Sequence, residues 1–309
     1  MPEFLLLEAV YKRLTARLQS QYSGVMERYP LERYVQTLNR RYAFIGYNAI
    51  DESVAGLCGQ LVRDYSQEAL DLYHRSLLLQ LLLNNRKKMQ SDLYTATVQE
   101  QFLRECNRIV RDVECNPVGF YDYENDLFCK DLGVATLRMF PAGVLKTESL
   151  AGIPRRIIFS NKGRDLLHWL RHIQRFGGFS PYYEIHLDIR YRDSFTPQGW
   201  DDALRIVGEM LLLHPHIKGI TGASWFFDPQ IRSISPRLNY LRQRAEDNGG
   251  RFFFYKRDEH TTELAVLSSP TRRKLYEEGN YQPSSYFMVW PRTDILQWLE
   301  RDAALGRTV

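Results

Sequence analysis

From Phe4 to about Val113 the apolar side chains recur at three- and four-residue steps, as at Leu7, Val10, Tyr11, Leu14 and Leu18, and again at Leu57, Leu61, Tyr65 and Leu70. That spacing is the signature of helices that bury one face. The first helix is expected to stop between Ser23-Gly24 and Arg28, and a second to open at Pro30, where proline's missing N–H costs little. A further break is expected around Gly46-Tyr47-Asn48, with Asp51 and Ser53 as caps for the helices that follow. Cys115-Asn116-Pro117-Val118-Gly119 ends the helical texture.

Beyond Gly119 short strand-like and helix-like segments alternate. Strands are expected at 133–140, 155–160, 183–190, 217–227, 251–256, 263–267 and 286–290. Helices are expected at 164–175, closed by Gly177-Gly178, and at 200–213, opened by Thr196-Pro197. Others follow at 235–246, ended by Asn248-Gly249-Gly250, at 272–277, and through Ile295, Leu296, Trp298 and Leu299. The pattern therefore reads as an α/β protein, with a helical domain over residues 1–116 and an α/β domain over 117–309.

The 309 residues suit two domains, and 44% hydrophobic with 25% charged residues is ordinary globular composition. The longest apolar stretch, Ser76 to Leu83, is far shorter than the roughly 20 residues of a membrane span and reads as a buried helix turn. No basic n-region or cleavage site follows Met1, so a cytoplasmic protein without membrane contact is expected. Cys58, Cys106, Cys115 and Cys129 form no CxxC pair and are expected as free thiols. The formal charge of +4 is spread among interspersed acids, and the compact run Arg86-Lys87-Lys88 reads as a solvated helix end; a nucleic-acid partner is not expected.

Between Tyr183 and Arg190 the period of two puts Glu184, His186 and Asp188 on one face and Tyr183, Ile185, Leu187 and Ile189 on the other. A carboxylate, an imidazole and a second carboxylate on one face could serve one bound molecule or form a structural ion cluster. His186 and Asp188 are also two thirds of a facial iron triad, for which His260 on a later strand would be the third ligand, with Arg272 beyond it to pair a 2-oxoacid. His168 and His172 stand four apart on a helix but lack the adjacent glutamate of a metalloprotease motif, and His214 and His216 flank Pro215 at a helix exit. Gly222-Ala223-Ser224-Trp225-Phe226-Phe227-Asp228-Pro229 leads from small residues straight into aromatics, either a pocket wall or a crowded core crossing. Ser224 lacks a nucleophile-elbow frame.

The order of elements from Gly133 to Leu267 resembles the Gcn5-related N-acetyltransferase superfamily, with an extra helix inserted at 164–175. Val134-Ala135-Thr136-Leu137-Arg138-Met139-Phe140-Pro141 is similar to the substrate-side strand of the acyl-homoserine-lactone synthase branch. Ser235-Pro236-Arg237-Leu238-Asn239-Tyr240-Leu241-Arg242, with Gly250-Arg251-Phe252 after it, is similar to the late helix and following strand of many acetyltransferases. The family's pyrophosphate loop reads Gln or Arg, two residues, Gly, one residue, Gly or Ala. Here the stretch from Arg192 to Trp200 has one glycine and a proline.

The resemblance implies an acetyltransferase-like mixed sheet flanked by helices and an acyl group moved from an acyl thioester, such as acyl-coenzyme A, to a small amine or amino acid. No metal is expected. Glu184 would take the amine's proton and Tyr240 protonate the leaving thiolate, with His186 and Asp188 beside them. Thr196, Gln198 and Gly199 would meet the donor's phosphates at a helix start, and Arg138, Ser224 and Trp225 would line the substrate site. The N-terminal helices would shape the acceptor site or offer a surface for a homo-oligomer. Two alternatives stay open: the iron/2-oxoacid oxygenase on His186, Asp188 and His260, and an interaction protein on a degenerate acetyltransferase fold whose cofactor loop is lost.

Overall fold

The computed structural model describes residues 3–39, 47–48, 52–155, 157, 173–267 and 269–306. The fold is mixed α/β, a helical N-terminal region followed by a mixed sheet flanked by helices. The chain packs as two compact units, residues 1–149 with 187–190, and residues 150–186 with 191–309. Residues 117–149, expected with the α/β domain, thus pack with the helices.

The first unit holds α1 (Glu3–Gln21), α2 (Val25–Arg28), α3 (Leu31–Asn39), α4 (Glu52–Asp64), α5 (Gln67–Met89), α6 (Ala96–Cys115) and α7 (Asp126–Ala135). Gly24, at φ 77°, makes the expected turn after α1. Ser66 caps α5, its hydroxyl accepting from the Ala69 N–H at 3.1 Å. Every residue of α5 from Ala69 to Leu79 is buried, and the helix packs on α1, α4, α6 and α7, so the leucine run is the centre of this unit. A helix buried on all sides must answer its polar groups internally. Asp71 accepts from the Gly119 N–H at 2.9 Å and the Tyr121 N–H at 3.3 Å. Arg75, ion-paired with Asp71, donates to the carbonyls of Asn116 at 2.9 Å and Pro117 at 3.2 Å. The Asn-Pro-Gly segment that ends the helical texture is thereby tied to the central helix.

The strand expected at 133–140 is a correction. Asn125 caps α7 through the Leu127 N–H at 3.0 Å, and the helix buries Phe128, Cys129 and Leu132. The strand β1 (Met139–Ala142) begins only after Leu137 turns the chain at φ 61°, and it pairs antiparallel with β2 (Leu145–Ala151) from Met139↔Glu148 to Ala142↔Leu145. All four cysteines are free thiols, as expected.

The second unit is built on β3 (Tyr182–Leu187), α8 (Pro197–Leu213), β4 (Gly219–Ser224), α9 (Ile231–Ile234), α10 (Tyr240–Glu246), β5 (Arg251–Lys256), α11 (Glu259–Leu267), α12 (Pro270–Glu277), β6 (Ser285–Pro291) and α13 (Arg292–Gly306); Leu187 itself packs with the first unit. The strands run in the order β3-β4-β6-β5, with β3 and β4 parallel and the other pairs antiparallel. The last strand thus inserts between two earlier ones. Because β6 is central, Phe287, Met288, Val289 and Trp290 are buried in succession, with Phe287 and Val289 joining Ile153, Ile157, Phe176 and Tyr182 in one core. Helix α13 covers β4 and β6 and packs on α8, where a Cβ on Gly208 would lie 2.1 Å from Leu299.

Two further expectations change. Residues 263–267 are helical, within α11, because the Asp258 carboxylate accepts from the Thr261 N–H at 2.8 Å and starts a helix. The strand at 217–227 ends at Ser224, where a 3₁₀ turn, Trp225–Phe227, takes over. The strand expected at 155–160, the helix at 164–175 with His168 and His172, and the Gly46 break lie wholly or largely outside the described residues. Among the described residues, no helix is long and apolar enough to cross a membrane.

Candidate active site

Strand β3 alternates as its sequence predicts over its centre: Tyr183 and Ile185 are buried, Glu184 and His186 half-buried. The Tyr183 hydroxyl lies 2.6 Å from His214 Nδ1, and burial with the neighbouring His216 holds the His214 pKa below the usual value. The alternation stops at Leu187. Residues Ile189–Ser194 form a 3₁₀ segment, and Ile189, expected on the apolar face, is exposed.

Asp188 therefore leaves the face shared by Glu184 and His186. It belongs to a buried ring of alternating charges in the first unit. Its carboxylate accepts from Arg190 Nη2 at 2.8 Å and faces Lys146 Nζ at 3.2 Å. Lys146 meets Glu105 at 2.9 Å, Glu105 meets Arg108 at 2.8 Å, Arg108 meets Asp131, and Asp131 returns to Arg190 at 2.8 Å. The Arg190 and Lys146 cations hold the Asp188 carboxyl well below the usual carboxylate range against the opposing effect of burial. A carboxylate held so firmly ionised is a poor proton acceptor, and this ring joins α6, α7 and β2 to the segment after β3. Arg138 is also in the first unit, paired with Glu148 at 3.0 Å.

In the second unit, β3 and β4 share the parallel pairs Tyr183↔Ile220 and Glu184↔Thr221, and both strands run on beyond them. Gly222 lets the strands approach, since a Cβ there would sit 2.9 Å from Ile185 Cγ1. The small residues ahead of Trp225 thus serve strand packing. Ser224 closes β4, its hydroxyl accepting from the Phe226 N–H at 3.2 Å. Trp225 is buried in a core with Ile231, Ala265 and Tyr281, and the Arg272 guanidinium sits 4.5 Å above its ring. Ser224 thus caps the turn and Trp225 packs in the core, the arrangement of the crowded-core alternative.

Helix α8 begins as the Thr-Pro pair predicts. Thr196 Oγ1 accepts from the Gly199 N–H at 3.1 Å and Pro197 occupies the first turn. Gln198 donates to Asp202 at 2.8 Å. The N–H groups of Phe195, Thr196 and Trp200 bond the carbonyls of Arg192, Ser194 and Thr196 at 3.0, 2.9 and 2.9 Å. The positive end of the helix dipole is available to an anion at this terminus. A Cβ on Gly199 would lie 2.0 Å from the Ser194 carbonyl. Gly199→Ala is therefore expected to displace the 194–199 turn and cost about 1–3 kcal/mol, read as a fall in urea midpoint.

Tyr240 opens α10 and donates its hydroxyl to the Phe195 carbonyl at 3.1 Å; burial pushes its pKa up to about 12. Phe195 was not among the residues singled out from sequence. It lies at ring-centroid distances of 5.7 Å from Phe226, 6.1 Å from Trp200 and 6.2 Å from Tyr240. The signal available was an aromatic directly before a Thr-Pro helix start. His260 lies exposed on α11 rather than on a strand, and the sheet is a mixed, helix-flanked one instead of a β-helix, so the oxygenase alternative loses the frame it needs.

No protein-family description matches the chain, and no curated protein is significantly similar to it in sequence. In fold the chain is similar to the crystal structure of an acyltransferase in complex with decanoyl-CoA and teicoplanin, with a TM-score of 0.50 and 13% identity over 91% of this chain and 86% of that one. It also matches an acyltransferase in complex with decanoyl-CoA, with a TM-score of 0.48 and 13% identity over 71% of this chain and 66% of that one. At this identity the likeness is one of fold.

Proposed function

We propose that this chain is an acyl-thioester-dependent N-acyltransferase of the acetyltransferase-like type, taking an acyl group from acyl-coenzyme A to a small amine or amino acid. The observation that carries the reading is the arrangement of the second unit. Strands β3 and β4 are adjacent and parallel, and the turn that follows β4 meets the start of a 17-residue helix, with Phe226 5.7 Å from Phe195 between ring centroids; ligands of α/β sheets favour the region outside the carboxyl ends of parallel strands. The fold shared with an acyltransferase that binds decanoyl-CoA and teicoplanin supports an acyl thioester as the donor to test.

In this reading the amine nitrogen attacks the thioester carbonyl, Glu184 accepts the amine's proton, and the C–S bond breaks as the C–N bond forms. Tyr240 gives its proton to the departing thiolate. The phenol is protonated at neutral pH, and because burial pushes its pKa up to about 12 it is a weaker acid than a free tyrosine, so the proton passes in concert with C–S cleavage, while charge builds on the sulfur. Thr196, Gln198 and Gly199 present the helix dipole to the donor's phosphates rather than a cradle of N–H groups. Ser224 shapes the turn behind the site. Asp188, held ionised in its ring of charges, takes no proton in the step. The protein is read as cytoplasmic, with the N-terminal helices as acceptor or oligomer surface.

One observation favours the second reading, an interaction protein that has kept the fold and lost the donor: the N–H groups of Phe195, Thr196, Gly199 and Trp200 are all bonded within the chain. Calorimetric titration with coenzyme A separates the two. Acyl transfer requires saturable binding weakened by phosphate-free analogues such as acyl-pantetheine, and the interaction reading requires none.

A further inference from the structure

Two turns and one helix start bring three half-buried rings together in the second unit. Phe195 precedes α8, Phe226 lies in the 3₁₀ turn after β4, and Tyr240 opens α10. Phe195 is the hub, with its centroid 5.7 Å from Phe226 and 6.2 Å from Tyr240. Behind them the rings are backed by buried residues: Trp200 lies 6.1 Å from Phe195, and Trp225 stacks on Phe226 at 3.9 Å. The two outer phenylalanines thus rest on buried tryptophans, and each residue is itself only half-buried.

We propose that Phe195 and Phe226 form the surface that receives the acyl chain of the donor, so that the substrate is a thioester of a medium-length or aryl carboxylic acid rather than of acetate. The inference rests on the acyl-transfer reading above, and it moves the substrate contact from Trp225, which is committed to the core, to its two accessible neighbours. Position follows from connectivity. The Tyr240 hydroxyl serves the sulfur, and that hydroxyl is bonded to the backbone carbonyl of Phe195 at 3.1 Å. Sulfur and acyl chain are joined to the same carbonyl carbon, so a thioester whose sulfur reaches Tyr240 has its first methylenes within a few bonds of the Phe195 hub. An acetyl group is too short to cover these rings, whereas a chain of several methylenes takes apolar area out of water along them. The rings also discriminate by size, since the buried tryptophans behind them leave no room to retreat.

The test is a calorimetric titration of the full-length protein with coenzyme A, acetyl-, hexanoyl-, octanoyl- and phenylacetyl-coenzyme A. Affinity is expected to rise roughly three- to four-fold for each methylene added between acetyl and octanoyl, and the phenylacetyl thioester to bind well above the acetyl one. Phe226→Ala is expected to flatten that series while Phe226→Leu keeps most of it; should Phe226→Ala fail to fold, Phe195→Ala, which removes the other ring of the surface, supplies the same comparison. Equal affinity for acetyl and octanoyl donors would overturn the acyl-chain surface and leave acyl transfer standing. Failure of coenzyme A and every thioester to bind would overturn both.

Discussion

Tyr240→Phe is expected to lower acyl transfer about 100-fold at saturating donor while thioester affinity changes little. The substitution removes one hydroxyl from a half-buried ring and keeps the ring's contact with Phe195, whose centroid lies 6.2 Å away. What disappears is the proton destined for the thiolate, together with a hydrogen bond to the Phe195 carbonyl worth about 1 kcal/mol. The diagnostic readout is the leaving group. If Tyr240 donates to sulfur, replacing the alkyl thioester by an aryl thioester, whose thiolate needs no proton, restores most of the lost rate. A variant equally slow with both donors would assign Tyr240 to packing alone.

The largest stability effect is expected in the first unit. Lys146→Met removes a fully buried ammonium from between Glu105 and Asp188, leaving two buried carboxylates facing each other's neighbours without it. Breaking a buried ion network by deleting one partner costs about 3–5 kcal/mol, because the remaining charges stay desolvated. A fall in Tm of roughly 10 °C follows for a unit of this size. The ring also sets a pH response. The folded Asp188 pKa is depressed below its unfolded value, so its contribution is whole above about pH 4, the unfolded carboxylate range, and is lost as the pH falls below that towards the folded value. Asp188→Asn is expected to remove this acid-labile component, visible as a shallower decline of Tm between pH 5 and 3. An unchanged slope would mean that the ring is not ionised as drawn.

Periodicity carried the fold where local and tertiary demands agreed. The leucine run of α5 is buried throughout, the Thr-Pro pair starts α8 through its cap, and the centre of β3 buries the face its alternation creates. It misled where a single cap outweighed short-range alternation. Asn125 and Asp258 start helices α7 and α11 over residues with strand-like composition, and a side-chain cap is not visible in a period count. The site was legible in part. Glu184 and His186 share a half-buried face of β3, and Tyr240 stands at the start of α10 with its hydroxyl on the Phe195 carbonyl. Asp188 is misplaced because, beyond its neighbour Arg190, the ring that holds it is made by Lys146, Asp131, Arg108 and Glu105, which lie 42 to 83 positions away along the chain, and no local pattern connects them. Trp225 is the conspicuous aromatic of the sequence, yet it is buried in the core, while Phe195 and Phe226 beside it are half-buried.

Acyl transfer itself is tested most directly by following free thiol release from octanoyl-coenzyme A with a panel of small amines and amino acids, in the wild type and in Glu184→Gln. The account predicts amine-dependent thiol release matched by amide formation in mass spectrometry, falling by two orders of magnitude or more in Glu184→Gln with folding intact and recovering as pH rises and the amine loses its proton in solution. Thiol release that is absent with every amine, or that proceeds in Glu184→Gln at the wild-type rate, would contradict it.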